Sequence, residues 1–244
     1  MIHNIIFVLI ISFVASLVRS TFGFGESLVA VPLFLLFLPV EIAVPLSVML
    51  SVVIALIVVV QDHSKIHFSS AKWLILYALP GIPLGILLLT YGSDLLIKTG
   101  LGFLIIGYSF YSLFAKTSRT LKEDNRLWLF ICGFLSGVLG GAYGLNGPPL
   151  VVYGKLRQWS AQHFRATLQA YFLPASLVGL LGYYIKGLVT PEVGQYFSLS
   201  LATAVPAVFL GRYLNRRLKE GVFFRYVYCG LILVGVVLIV TTLA

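Results

Sequence analysis

Long apolar runs constrain this chain more than any motif in it. Runs of about 18 to 22 residues, the length that crosses roughly 30 Å of hydrocarbon as a helix, recur from one end to the other. Because 59% of the residues are hydrophobic and 10% are charged, no segment is left over for a water-soluble domain. The sequence predicts an all-α polytopic membrane protein. Six full-length helices are predicted at Ile42–Val60, Ala71–Thr90, Leu95–Ala115, Phe164–Lys186, Val193–Gly211 and Val222–Val240.

Two other apolar stretches are too long for one crossing, and glycines interrupt both of them. Ile2 to Leu38 contains TFGFGE, and Leu127 to Tyr153 contains GGAYGLNGPP. Each stretch is either one crossing with a long tail or a hairpin that enters the membrane, turns at the glycines and leaves on the same side.

The charges of the loops favour hairpins. If each stretch crossed once, the basic loops around Lys116–Arg126 and Arg212–Lys219 would face opposite sides, which the positive-inside rule disfavours. If both are hairpins, all but three of the 17 Lys and Arg residues fall in loops on one side; the exceptions are Lys98, Lys186 and Arg19. We therefore expect cytoplasmic basic loops and both termini outside.

The hairpins divide the chain into two inverted repeats. Each repeat is a glycine-broken hairpin plus three transmembrane helices, and because three is odd, the second repeat enters from the opposite side. The predicted units are residues 1–116, a cytoplasmic basic link at 117–126, and residues 127–244. The matching positions are Gly23 with Gly144, Pro80 and Gly85 with Pro206 and Gly211, and Gly102 and Gly107 with Gly230 and Gly235.

Broken helices at matching positions of inverted repeats point to a transporter site near the bilayer midplane. The turns free backbone N–H and C=O groups, glycine lets the chain reverse, and the helix that follows attracts an anion to its N-terminus. We expect Thr21–Gly25 and Gly144–Gly147 to form two facing backbone cradles. The alternative is that the glycines only let helices pack closely, which we favour for Gly137, Gly140 and Gly141.

Polar side chains beside the first break suggest roles in binding and coupling. Arg19 could offer a fork of donors to a sulfonate, sulfite or carboxylate, or could snorkel outward. Ser20, Thr21 and Asn146 add neutral donors. Glu26, the one acid outside a loop or helix end, could carry a proton or form an internal ion pair with Arg19.

The second half adds Arg165 and Gln169 at the start of a helix, although for Arg165 we favour the alternative of an ordinary positive-inside charge. The histidines show no metal-ligand spacing, and we predict neither metal nor cofactor. The predicted substrate-binding residues are Arg19, Ser20, Thr21, Gly23, Gly25, Tyr143, Gly144, Asn146, Gly147, Arg165 and Gln169, with Glu26 as the proton-coupling residue.

The segments GFGESLVAVPL and GVLGGAYGLNGPPL, with the basic central link, resemble the TauE/SafE family of sulfite and sulfonate exporters. The resemblance covers essentially the whole chain. It implies a multi-pass permease of the bacterial inner membrane that moves sulfur-containing anions such as sulfite, sulfoacetate or thiosulfate. The family's glycine and proline motifs fall on Gly23, Gly25, Pro32, Gly144, Gly147, Pro148 and Pro149.

We therefore expect a secondary transporter, not an enzyme, that exports a small sulfur-containing anion with the proton gradient as its driving force. An intramembrane enzyme such as a lipid pyrophosphate phosphatase would need clustered acids, and this chain has one buried acid. An anion channel and an assembly scaffold stay open. The expected partners are a small anion and the lipid bilayer, with no nucleic acid; a homodimer is left open.

Overall fold

A computed structural model describes residues 2–114 and 121–215, with short pieces between 232 and 243. The described part is helical, and no strand occurs in it. Its helices are α1 Ile2–Phe22, α2 Glu26–Phe34, α3 Val40–Asp62, α4 Phe68–Ala78, α5 Gly81–Tyr91, α6 Asp94–Phe114, α7 Arg126–Tyr143, α8 Gly147–Leu156, α9 Ala161–Ile185 and α10 Pro191–Asn215. The helix predicted at Val222–Val240 lies largely outside the described residues.

Four predicted helices appear within a few residues of their predicted bounds, as α3, α6, α9 and α10. The helix predicted at Ala71–Thr90 is instead two helices, α4 and α5, that meet at an angle of 44°. Pro80 stands at the junction. Its backbone nitrogen has no N–H to donate to the preceding turn of the helix, and its ring crowds that turn. The next residue, Gly81, lies directly against the backbone of α7, where a side chain would not fit.

Six of the described helices are long and apolar enough to cross a membrane, namely α1, α3, α6, α7, α9 and α10, and the bent pair of α4 and α5 would make a seventh crossing. By contrast, α2 has 9 residues and α8 has 10. At 1.5 Å per residue they reach about 15 Å, half of the hydrocarbon thickness. Neither helix can cross the membrane alone.

The first hairpin consists of α1 and α2, and its second arm runs back along the first. Phe7 lies near the start of α1 and Phe37 follows the end of α2, yet their ring centroids are 5.8 Å apart. Across the turn, Arg19 and Glu26 form an ion pair. The chain therefore reverses at Gly23–Gly25 and returns toward the end at which it began.

The second hairpin consists of α7 and α8. The N–H of Leu121, five residues before α7, donates to the carbonyl of Leu156 at the end of α8 at 2.8 Å. The side chain of Arg157 donates back to the Leu121 carbonyl at 2.9 Å. This hairpin reverses between Tyr143 and Gly147, so that both of its ends lie at the same end of the bundle.

Two basic residues that the sequence places on the cytoplasmic side meet at one end of the bundle. Arg165 at the start of α9 and Arg212 near the end of α10 share the carboxylate of Asp62 at the end of α3, at 2.7 and 3.1 Å. Lys186 lies at the far end of the 25-residue α9, next to the hydroxyl of Tyr91. Arg165 and Arg212 therefore lie at the opposite end of the bundle from Lys186.

Candidate functional site

The two glycine breaks meet in the middle of the bundle. A Cβ atom added to Gly144 would lie 3.7 Å from Oγ of Ser27 and 3.8 Å from Oγ of Ser47, and one added to Gly147 would lie 3.6 Å from Phe24. Between the breaks is a small pocket, which we call the central pocket. It is lined by Arg19, Phe24, Gly25, Glu26, Ser27, Leu28, Ser51, Gly144, Leu145, Asn146, Gly147, Pro148 and Phe172.

Glycine is required at both breaks by the backbone itself. Gly23 has φ +86°, Gly25 +97° and Gly144 +68°, a left-handed region that residues with a Cβ atom rarely adopt. Gly25 directly precedes the first turn of α2, and Asn146 holds the same place before α8. The N-termini of two short helices therefore border the central pocket.

Arg19 and Glu26 form a buried ion pair on the wall of this pocket. Nη1 of Arg19 lies 3.2 Å from Oε2 of Glu26, and the two side chains are 4% and 0% exposed. The sequence left open an internal pair or separate roles, and the pair is present in this structure. Two opposite charges together are far less costly in a low dielectric than either alone.

The guanidinium of Arg19 has partners on two other helices. Nε and Nη2 both donate to Oε1 of Gln169 on α9, at 3.1 and 2.9 Å, and Nη1 donates to Oγ of Ser51 on α3 at 2.6 Å. The guanidinium carbon lies 4.6 Å from the ring centroid of Phe172, in cation–π geometry. Arg19 therefore does not snorkel to the surface but is held inside the bundle.

The carboxylate of Glu26 also accepts hydrogen bonds from neutral groups. Ser27 donates to Oε2 at 2.9 Å, and Ser47 on α3 donates to Oε1 at 2.8 Å. Glu26 is also the first residue of α2, where the helix dipole favours a negative charge. A carboxylate in this place occupies the kind of position that a bound oxyanion would take.

Gln169 connects the charged pair to the first break. Its Nε2 donates to the carbonyl of Gly23 at 2.8 Å while its oxygen accepts from Arg19. Gly23 itself lies against α9, since a Cβ atom there would be 2.7 Å from Cα of Arg165. Gly23 therefore fixes the packing of the first hairpin on α9 and does not line the central pocket.

Neutral groups hold the second break. The hydroxyl of Tyr183 on α9 donates to the carbonyls of Gly140 and Gly141, at 3.1 and 2.7 Å. Ser136 donates to the carbonyl of Asn146 at 2.6 Å, and the side chain of Asn146 occupies the space that a Cβ atom on Gly140 would need. The carbonyls freed by this turn are thus satisfied without a charged residue.

Several residues predicted for the site face other surfaces. Ser20 donates to the carbonyl of Val208 on α10, and Thr21 donates within α1 to Leu17. The hydroxyl of Tyr143 lies next to Gly100 on α6, and Arg165 pairs with Asp62. Among the predicted residues, those that line the central pocket are Arg19, Gly25, Glu26, Gly144, Asn146 and Gly147, and Gln169 contacts Arg19 from behind it.

Sequence reasoning missed the serines that bind the charged pair. Ser47 and Ser51 lie on α3, and Ser51 shares a hydrogen bond of 2.9 Å with Ser176 on α9. A signal was available, because the Pro-x-Ser pattern of residues 45–47 recurs at residues 174–176. Placed in the same register on the two helices, this pattern would have pointed to polar groups facing each other inside the bundle.

Among residues 2–114 and 121–215, no group of three or more His, Cys, Asp or Glu residues is arranged to hold a metal ion. Cys132 is buried among apolar side chains, as a packing residue would be, and Cys229 lies outside the described residues.

Comparison with known proteins identifies the family. A family model described as "Sulfite exporter TauE/SafE" matches residues 8–238. The chain belongs to the TauE/SafE family. The matched residues of this TauE/SafE chain include both glycine breaks and the whole lining of the central pocket. The family resemblance read from the two glycine motifs is thereby confirmed.

One curated relative is described as "Probable sulfite/organosulfonate exporter TauE" from Cupriavidus necator. It is 28% identical to the TauE/SafE chain over 142 residues, which cover 57% of this chain. The match spans about half of the relative's own length, 54%. No solved structure matches the chain.

Proposed function

We propose that this protein is a secondary transporter that exports small sulfur-containing anions such as sulfite, sulfonates or thiosulfate, and that the central pocket is its binding site. The observation that carries the proposal is the buried guanidinium of Arg19 at the point where two broken helices meet. The description of the relative from Cupriavidus necator as a probable sulfite/organosulfonate exporter supports sulfur-containing anions as the substrate class. The six long apolar helices support a multi-pass location, which we propose is the bacterial inner membrane.

The lining of the central pocket suits an oxyanion. Arg19 provides a planar fork that matches two oxygens of a sulfonate or sulfite group. The N-termini of α2 and α8 border the same space and add their positive ends. Gly25, Gly144 and Gly147 let the backbone come close to a small ligand, and Asn146 adds a neutral polar group.

We further propose that the chain consists of two inverted repeats, residues 1–116 and 127–244, joined by the link 117–126. Reciprocal packing supports the proposal. A Cβ atom on Gly85 of α5 would lie 2.8 Å from Cα of Gly141 on α7, and one on Gly211 of α10 would lie 2.6 Å from Cβ of Ser20 on α1. Ser20 precedes Gly23 by three residues, as Gly141 precedes Gly144. Each hairpin thus packs on the other repeat at a matching pair of positions.

In such a repeat protein, transport follows when one repeat tilts against the other around a fixed site. The contact between the hairpin tips is where such a movement would expose the central pocket first to one side and then to the other. We assign Glu26, the carboxylate buried in this contact, the role of proton carrier.

The test is flux of labelled sulfite, methanesulfonate and thiosulfate in proteoliposomes, with and without an imposed pH gradient. Arg19→Gln/Glu26→Gln removes the ion pair without leaving a lone buried charge, and should reduce flux about tenfold or more because a charge-assisted fork is lost. Arg126→Gln is the control, since Arg126 is exposed and lies outside the central pocket.

Two results would contradict the proposal. Flux of all three anions at the level of empty liposomes would show that they are not substrates. Wild-type flux in a folded Arg19→Gln/Glu26→Gln protein would remove the central pocket from the path. Uphill accumulation of an anion distinguishes a coupled transporter from a channel, because a channel only equilibrates its ion.

A further inference from the structure

We infer that the site binds its anion together with one proton, so that anion and proton move through the protein in the same direction. The inference rests on the proposed function and deepens it, since it fixes the sign and the stoichiometry of coupling. It follows from the partners that Arg19 already has.

The guanidinium of Arg19 has too few unused donors for an oxyanion. An arginine side chain carries five N–H groups. Its hydrogen bonds to Gln169, Ser51 and Glu26 use one N–H on Nε, one on Nη2 and both on Nη1. A bidentate contact needs two adjacent N–H groups, and one is left. An anion that binds the fork must therefore displace one of these partners.

Glu26 is the partner that an anion displaces. Gln169 is held in place by its bond to the Gly23 carbonyl at 2.8 Å, and Ser51 by its bond to Ser176 at 2.9 Å. Both are neutral, so they tolerate an anion next to them. Glu26 is negative and lies on the wall of the central pocket, where like charges repel strongly in a low dielectric.

Once displaced, the carboxylate cannot stay charged. The groups that face Glu26 are Arg19 from α1, Ser27 from its own helix and Ser47 from α3, and the second hairpin adds the neutral Gly144 and Asn146 to the pocket. Arg19 is the one charged group among these described partners. With Arg19 bound to the anion, two negative charges would share one cation, and a proton on Glu26 relieves this.

The step balances without any other reactant. The carboxylate of Glu26 takes up one proton from the bulk solution and becomes a carboxylic acid, and the anion takes its place on Arg19. Before the step the site holds one positive and one negative charge, and afterwards it holds Arg19, a monovalent anion and a neutral acid. The net charge of the site is zero in both states, which makes both states compatible with the apolar interior.

Exchange of a proton for an anion does not fit this site. In an exchanger, the bound proton prevents the anion from binding, and the bound anion prevents the proton from binding. In this site it is the deprotonated carboxylate that prevents the anion from binding, so protonation favours it. The inward proton gradient would then oppose export, contrary to the expectation from the sequence that this gradient drives it. An outward gradient of the anion would drive export instead, with one proton leaving per anion.

The test measures protons and anion in the same sample of purified full-length protein in detergent. Methanesulfonate is the probe because its sulfonate stays ionised across the neutral pH range. A pH-sensitive dye in weak buffer reports proton uptake on binding, and calorimetry gives the Kd. We expect one proton taken up per anion bound, and a Kd that rises about tenfold per pH unit where Glu26 is deprotonated, by linkage.

Two variants identify the group that takes up the proton when the anion binds. Glu26→Gln mimics the protonated acid, and should bind methanesulfonate with a Kd independent of pH and without proton uptake. Glu41→Gln removes an exposed acid from the first turn of α3 and should behave like wild type.

Measurements on the wild-type protein alone can overturn the inference, whether or not the Glu26→Gln variant folds. Binding with proton release, or binding with no proton change at all pH values, would overturn it and leave the proposed function standing. Full proton uptake in a folded Glu26→Gln variant would also overturn it, by moving the proton to another group. If methanesulfonate, sulfite and thiosulfate all fail to bind folded wild type, the proposed function fails instead.

Discussion

The first and second hairpins make the same backbone turn with different chemistry. Each has a long helix, a left-handed glycine, a short loop and a half-length helix that returns to the same end of the bundle. Counting from Gly23 and Gly144, Arg19 corresponds to Gly140 and Glu26 corresponds to Gly147. The charged pair therefore belongs to one hairpin, and its counterparts in the other are glycines.

This difference separates two tasks that a site between hairpins must perform. The first hairpin supplies charge, which Ser47, Ser51 and Gln169 on α3 and α9 stabilise through hydrogen bonds. The second hairpin supplies close packing and backbone, and the neutral hydroxyl of Tyr183 completes it. Substitutions in the first should change electrostatics and pH dependence, whereas those in the second should change packing.

The largest effect is expected from removing one charge of the first hairpin. Arg19→Gln leaves Glu26 buried without its cation, and Glu26→Gln leaves Arg19 without its anion; breaking a buried pair costs about 3 to 5 kcal/mol. The double variant should recover most of this stability. Thermal unfolding in detergent checks it. Single variants as stable as wild type would mean that the pair contributes little to the fold.

Gly23 and Gly144, the left-handed glycines at matching positions of the two hairpins, offer a second contrast. Alanine at either position meets backbone strain of about 1 to 2 kcal/mol. At Gly23 the new methyl group also meets the α9 backbone at 2.7 Å, whereas at Gly144 it meets a side-chain methyl of Val48 at 3.2 Å. We expect Gly23→Ala to lose more stability, and Gly144→Ala to remain folded but to lose transport. Equal stability with intact transport in both variants would refute this distinction.

In the second hairpin, Tyr183→Phe removes the hydroxyl that donates to the carbonyls of Gly140 and Gly141. Gly140 keeps the N–H of Gly144 as a donor, so the buried carbonyl of Gly141 is the one that loses its partner, which should cost about 1 to 3 kcal/mol. Flux should fall with no change in its pH profile, because the hydroxyl lies away from the charged pair. A shifted pH profile would show that the second hairpin is coupled electrostatically to the charged pair of the first.

The smallest effect is expected from Ser47→Ala, which removes one donor to Glu26 at a cost of about 1 kcal/mol. Because the carboxylate loses stabilisation and the acid does not, the pH range of anion binding should extend to higher pH. Ser198→Ala is a matched control, since Ser198 is exposed and bonds within α10. Calorimetry across pH compares the two variants. A Ser47→Ala profile identical to that of Ser198→Ala would remove Ser47 from the coupling.

The sequence predicted the helices well because the bilayer leaves few choices. An apolar run of sufficient length must be helical, and a glycine break inside such a run must turn where protein or water satisfies the backbone. The turns could thus be placed at TFGFGES and GAYGLNGPP, and the charges of the loops then favoured hairpins over single crossings. Arg19, Glu26, Gly144 and Asn146 were named as site residues on the same grounds, and each of them lines the central pocket.

Only the tertiary structure decided which neighbouring side chains face the pocket. The direction of a side chain around its helix depends on which helices pack against it, and the partners here are far apart in the chain. Arg19 meets Gln169 across 150 residues, while Ser20, one position later, faces α10. The apolar runs and their glycines determined by themselves that the chain forms helices and where the two hairpins turn. Packing of α3 and α9 against the first hairpin decided which side chains surround Arg19 and Glu26.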